Sequence, residues 1–141
     1  MRVLARLSPF LPCFVLVTCH NPAASAPDVN GSWTYSGEFR SVIDRAPCTI
    51  LPTRLTFVQR DTAVTGTFDS VHTVCVRGTG ADTSTDDLGN QVGFIRRDSI
   101  YLLSDRVLFR NVGVIAHNTI DGVILQTSFD STPGHFHAVR Q

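Results

Sequence analysis

The stretch Ala63-Val64-Thr65-Gly66-Thr67-Phe68-Asp69-Ser70 decides the fold class. Val64 and Phe68 fall on one side of an extended backbone and Thr65, Thr67 and Asp69 on the other, the two-residue period of a strand with one face to bury. Asp61-Thr62 reads as the turn from a preceding strand, Leu51 to Arg60. Toward the C-terminus the same texture recurs in Thr73 to Gly78, Gln91 to Arg97, Ser99 to Ser104, Arg106 to His117, Ile120 to Phe129 and Gly134 to Arg140. These runs are β-branched and aromatic, and Gly, Asn and Asp separate them. Toward the N-terminus, Gly31 to Phe39 opens the set, and hardly any stretch beyond Asp28 has helical period. Gly80 to Asn90, made largely of Thr, Ser, Asp and Gly, reads as the longest loop. In the next strand Val92 and Phe94 oppose Gln91, Gly93 and Ile95, which predicts Phe94 inside. Eight or nine short strands at about ten-residue spacing predict an all-β fold. The expected form is an antiparallel up-and-down meander over 29–141, closed into a small barrel of about eight strands because closure removes exposed edges. An open sandwich is the alternative.

Upstream of this domain the chain has the form of an export leader. Arg2 and Arg6 make a basic start, Leu7 to Val17 an apolar run too short to span a bilayer, and Leu16-Val17-Thr18-Cys19 closes it. That tetrad resembles the lipobox of bacterial lipoproteins, with Thr18 where Gly, Ala or Ser is usual, and makes Cys19 the expected lipidation site. Ala24-Ser25-Ala26 offers a competing A-x-A cut, although Pro27 would follow the scissile bond. Residues 1–19 are thus read as the signal peptide and 20–28, rich in Asn, Pro, Ala and Ser, as a flexible tether. Localisation to the cell envelope follows, with membrane contact through the lipid anchor only, or secretion if Cys19 is not modified.

All twelve basic residues of the 141 are Arg, against eleven Asp and one Glu. Without Arg2 and Arg6 the balance is ten against twelve, a formal charge of minus two, which excludes a nucleic-acid footprint. Of the four cysteines, Cys13 leaves with the leader and Cys19 takes lipid. Cys48 and Cys75 remain, and in an oxidising compartment they are expected to form a disulfide contributing about 3 to 4 kcal/mol in the chain-entropy account.

Gly31-Ser32-Trp33 at the opening of the first strand resembles the G-x-W signature of the calycins, the lipocalin and avidin type of up-and-down barrel. Val64-Thr65-Gly66-Thr67-Phe68 is similar to the L-T-G-T-Y hairpin strand of avidins, and Phe136 near the start of the last strand fits as well. The resemblance implies that Trp33 closes one end of the barrel and that the interior can hold a pocket. Two departures limit what it implies about ligand: Trp33 is the only Trp, so the stacked tryptophans of a biotin site are missing, and the T-D-Y core of the second lipocalin motif is absent.

The chemistry-bearing residues have plain readings beside their functional ones. His135 and His137 flank Phe136 and point to one face, a spacing suited to a strand-borne metal pair, yet with Phe136 and Ala138 turned inward both histidines stand in solvent. His72 and His117 read as surface residues beside turns. Asp82, Asp86 and Asp87 lack EF-hand spacing and read as solvated turn residues. Arg96 and Arg97, with Arg106 and Arg110, could meet a carboxylate or phosphate ligand, or pair with Asp98, Asp105 or Asp121. No nucleophile elbow, zinc helix or phosphate loop occurs. No enzyme activity, cofactor or metal is therefore expected. The expected function is a non-catalytic, lipocalin-like barrel that binds a small apolar or amphipathic ligand, with Leu55, Phe57, Phe68, Phe94, Arg96, Leu102 and Phe109 lining the pocket. The alternative is a protein-interaction module acting through rim loops, a periplasmic protease inhibitor or an envelope-assembly factor with an envelope protein as partner. A continuous interior cavity would favour the first and a packed interior the second.

Overall fold

The computed structural model describes residues 25–106, 109–126 and 132–141, so the leader, Cys19 and most of the tether lie outside the described residues. Within them the chain forms strands and no helix: β1 (Gly31–Arg40), β2 (Pro47–Arg60), β3 (Ala63–Phe68), β4 (Val71–Arg77), β5 (Gly80–Asp86), β6 (Asn90–Arg96), β7 (Ser99–Ser104), β8 (Phe109–Ala116), β9 (Thr119–Gln126) and β10 (Gly134–Arg140). Eight of them follow the order β1-β10-β9-β8-β7-β6-β3-β2, and β2 pairs back onto β1. Every pairing is antiparallel and the ring is a closed barrel, so the fold class read from the sequence holds.

β4 and β5 lie outside the ring, and their place follows from a fork in β2. Leu55 to Arg60 pair with β3, whereas Cys48 to Ile50 pair with β4. Between the two halves the register against β1 jumps from Tyr35↔Thr53 to Gly37↔Ile50, so Leu51 and Pro52 together oppose Ser36. This is a β-bulge, where a strand tolerates proline because no ladder bond is asked of it. Pro47 and Pro52 punctuate the sequence here, and β2 nevertheless continues four residues N-terminal of Leu51, where the strand was expected to begin.

Gly80 to Asn90 is not a loop, contrary to expectation. Gly80–Asp86 forms β5, each residue in register with one of β4. Nearly all of it is exposed, so it has no apolar face for a sequence pattern to reveal; it is a strand because β4 supplies its backbone partners.

One end of the barrel is sealed. The turns at Asp61-Thr62, Arg97-Asp98 and His117-Asn118 lie there, each with its first residue in the left-handed region. The turn carbonyls take bonds from the neighbouring strands: Ile95 N–H donates to Thr62 at 2.7 Å, Ile115 to Asp98 at 2.7 Å and Arg140 to Asn118 at 2.9 Å. Trp33, with 0% exposure, fills this end. Its Nε1 donates to the Val29 carbonyl at 2.9 Å, Phe57 meets its ring edge-on, and the Arg140 guanidinium lies over it at 5.0 Å. Ala26, read from sequence as tether, packs against this core.

Candidate functional site

The barrel interior is occupied. Leu55, Phe57 and Leu102, three of the expected pocket residues, are buried in the core with Tyr35, Ile100, Ile120, Ile124 and Phe136. Phe136 stacks on Tyr35 at 5.3 Å between centroids, and Phe68 meets Tyr35 edge-on at 5.1 Å. Glycines make the space for these rings, since a Cβ on Gly66 would touch Phe57 and one on Gly122 or Gly113 would touch Phe136. A calycin-like hollow running the length of the barrel is therefore absent among the described residues.

Polar groups inside this core satisfy one another. Tyr35 Oη donates to Asn111 Oδ1 at 3.3 Å, Asn111 Nδ2 to Gln91 Oε1 at 3.3 Å, and Gln91 Nε2 to the Leu88 carbonyl at 3.1 Å. Ser104 Oγ donates to the same carbonyl at 2.6 Å. Burial pushes the Tyr35 phenol well above its ordinary pKa, so it stays a neutral donor. The sequence reading missed this chain of bonds because polar residues in an alternating strand are taken as solvent-facing. A glutamine in phase with Ile95 was the available signal.

Two expected pocket residues are corrected. Phe94 is 50% exposed, and Arg96, which shares its face, is exposed as well, while Gln91 at 1% and Ile95 point in. The reason lies in register. Phe94 opposes Tyr101, and both lie on the face that carries Val92, Leu103 and, across the next pair, Arg110. Turning that face inward would bury the Arg110 guanidinium, which costs more than leaving Val92 and Phe94 in water. Phe94 instead stacks on Tyr101 outside the barrel at 4.9 Å, and Arg96 lines a depression at the sealed end with Ala26, Pro27 and Arg97.

At the opposite end a cup of about 270 Å³ remains open. Phe39, Ile50, Leu88 and Phe109 form its apolar wall, and the Cys48–Cys75 disulfide, joined as expected, lines it where β2 meets β4. Phe109 is thus the expected pocket residue that lines the cup; Phe68 is half-buried against the core. The lip is the connection from Ser41 to Ala46, held by Ser41 N–H donating to the Ala46 carbonyl and Arg45 N–H to the Ser41 carbonyl, both at 2.9 Å. That tight geometry turns Val42 and Ile43 outward, and Ile43 is 91% exposed. Arg77 of β4 binds Asp44 of the lip and, at 2.8 Å, Asp82 of β5, clamping lip to hairpin. The same contact, with bonds from Ser41 and the Ala46 N–H, lowers the Asp44 carboxyl to a pKa of about 2. The hairpin adds Thr73, Ser84 and Asp86 to the cup.

A second concavity, of about 600 Å³, lies outside the wall across β2, β1, β10 and β9 and includes Glu38, Asp121, His135 and His137. His137 Nδ1 lies 2.5 Å from Asp121 Oδ1, and Ser36 stands beside His137 in register. Ser36 has no side-chain hydrogen bond to His137 among the described residues. Both histidines face out while Phe136 and Ala138 face in. No set of three or more His, Cys, Asp or Glu is placed to hold a metal among the described residues. Of the acids expected to pair with arginines across strands, Asp121 takes His137, Asp105 accepts from Asn90 and Asp98 from Ser99, while Arg106 pairs with Asp87 instead. His72 and His117 are exposed.

No protein-family model, curated protein or solved structure matches this chain.

Proposed function

We propose that this protein is an exported, non-enzymatic binding protein that takes a small amphipathic molecule into the cup at the barrel mouth, not into the barrel interior. The observation that carries this reading is the contrast between a core filled by Tyr35, Phe57, Phe68 and Phe136 and an apolar cup of about 270 Å³ left open above it. That volume sits just under the lower end of ordinary ligand pockets, roughly 300 Å³, so the molecule is small. If Cys19 carries lipid, the six residues from there to Ser25 reach at most about 20 Å. The chain enters at the sealed end, beside Trp33, so an anchored protein would hold its cup away from the membrane and collect its ligand from the aqueous side.

A protein partner seated on the same rim is the second reading, and two observations favour it: the packed barrel interior, which counts against an interior ligand, and the exposure of Ile43. Amide chemical-shift mapping with 1-octanol separates the two. Saturable shifts at Val42, Ile43, Ile50, Leu88 and Phe109, with Val29 and Trp33 unmoved, support ligand binding in the cup. Absence of saturable shifts, or shifts confined to the outer groove around His135 and His137, overturns it.

A further inference from the structure

The chemistry of the cup narrows the ligand class, an inference that rests on the reading of the cup as a ligand site. Val71 opposes Asp86 across the β4–β5 ladder, and Thr73 opposes Ser84. Residues opposed across a ladder point to the same side of it. Val71 is buried in the core, so Asp86 and Ser84 turn toward the mouth, where both line the cup. Asp86 is the only charged side chain in that lining among the described residues. It is half-buried and accepts one side-chain hydrogen bond, from Ser84 Oγ at 3.1 Å.

No cation lies within ion-pairing distance of Asp86 among the described residues. The acids around it are treated differently: Asp87, next along the chain, pairs with Arg106, and Asp82 on the same strand with Arg77. A carboxylate beside Ile50, Leu88 and Phe39 has less water around it to screen its field than one on the open surface. Among the described residues, the cup therefore carries one uncompensated negative charge against an apolar wall. We propose that it selects an amphipathic molecule bearing a protonated amine, with the ammonium on Asp86 and the hydrocarbon against Phe39, Ile50 and Phe109. A charge-assisted hydrogen bond to Asp86 then supplies the orientation that an apolar wall alone does not.

The test compares three probes of equal chain length, octylammonium chloride, 1-octanol and sodium octanoate, titrated calorimetrically into the disulfide-intact protein at neutral pH and low salt. Octylammonium is expected to bind at least 10-fold more tightly than 1-octanol, and octanoate more weakly than both. In Asp86→Asn the amine and the alcohol are expected to bind alike, with the thermal midpoint of the protein unchanged. Equal affinity of amine and alcohol in the unsubstituted protein overturns the amine assignment while leaving the cup as a ligand site, and this comparison needs no variant to fold. An amine preference that survives Asp86→Asn overturns the role of Asp86. Failure of all three probes to bind overturns the reading of the cup itself.

Discussion

Aromatic rings and glycines are matched to each other in this barrel, and the match differs between sites in a way that can be measured. A Cβ on Gly66 would lie 2.9 Å from Phe57 Cε1 and 3.1 Å from Leu55 Cδ1, both side-chain atoms. A Cβ on Gly122 would lie 2.2 Å from the Val112 carbonyl oxygen as well as 2.5 Å from Phe136 Cε1. A ring can turn aside, whereas a carbonyl held in a sheet moves only with its strand. Gly66→Ala is therefore expected to cost about 1–2 kcal/mol and Gly122→Ala about 3 kcal/mol or more, the range in which overpacking displaces backbone. In Phe57→Leu the cost of Gly66→Ala should nearly vanish, while in Phe136→Leu that of Gly122→Ala should stay above about 2 kcal/mol, a contrast that a double-mutant cycle isolates. Urea unfolding followed through the emission of Trp33, the single tryptophan, reads the unsubstituted protein and all six variants. Equal relief at both sites would mean that the rings, not the strands, set the packing. At this scale the alternation of Val64 and Phe68 was legible because their strand has one apolar and one hydroxyl face. The orientation of Phe94 was not, since Val92 and Phe94 outweigh Gln91 on their own strand. Only the neighbours' register, which puts Arg110 on the same face, settles which side goes in.

Strands with one buried face were legible, but the place of β4, which buries Val71 and Thr73 and yet pairs with β2 outside the ring, was not, and neither was β5, which buries no face. Gly80-Ala81-Asp82-Thr83-Ser84-Thr85-Asp86 has turn-like composition, and what makes it a strand is a complete set of partners on β4. The fork in β2 was hidden in the same way, because Pro47 and Pro52 imply a break where the structure has a bulge. The Asp44–Arg77–Asp82 clamp that ties the lip to this hairpin has a definite pH signature. Hydrogen bonds from Arg77, Ser41 and the Ala46 N–H lower the Asp44 carboxyl from an ordinary 3.8 to about 2. A carboxyl whose folded pKa is depressed adds stability that is complete above its unfolded pKa and disappears as pH falls through the folded one. Asp44→Asn removes that contribution. The urea midpoint of the unsubstituted protein should therefore exceed that of Asp44→Asn by a constant amount from neutral pH to about pH 5. The gap should narrow between about pH 4 and pH 2. Amides of Val42 and Ile43 should also exchange faster in the variant at neutral pH. A gap that holds steady down to pH 2 would mean that Asp44 is not held by Arg77 in solution.

At the scale of the whole molecule, the barrel and the β4–β5 hairpin are separable, and that division is also a division between stability and binding. The ring closes through β1, which pairs with β10 on one side and β2 on the other, and residues from all eight of its strands fill the core that holds Tyr35 and Phe136. The hairpin is attached through three residue pairs with β2, the Cys48–Cys75 bond, the contact of Arg77 with Asp44 of the lip and Val71, which the cut described next retains in the core. Its first and last residues, Val71 and Asp86, are opposed in register, so the chain can be cut there and rejoined by a short turn without moving the barrel strands. Replacing residues 72–85 by a Gly-Asn linker, with Cys48→Ser, should leave one cooperative thermal transition at a lower temperature. Part of the loss, about 3.5 kcal/mol on the chain-entropy account, belongs to the disulfide alone and is reproduced by Cys48→Ser with Cys75→Ser in the full-length chain. The shortened protein should no longer bind 1-octanol or octylammonium, because Thr73, Ser84 and the Cys48–Cys75 wall of the cup have gone. Ending the chain at Pro133 is the opposite cut. It removes β10 and with it Phe136, Ala138 and the Arg140 guanidinium over Trp33, and it leaves β1 and β9 as open edges. That protein should show no cooperative transition and should expose Trp33 to quenchers, since neither edge has another partner in the ring. If the hairpin deletion unfolds the protein as completely as the loss of β10 does, the hairpin is part of the folding unit, and its composition answers to stability instead of to what the cup binds.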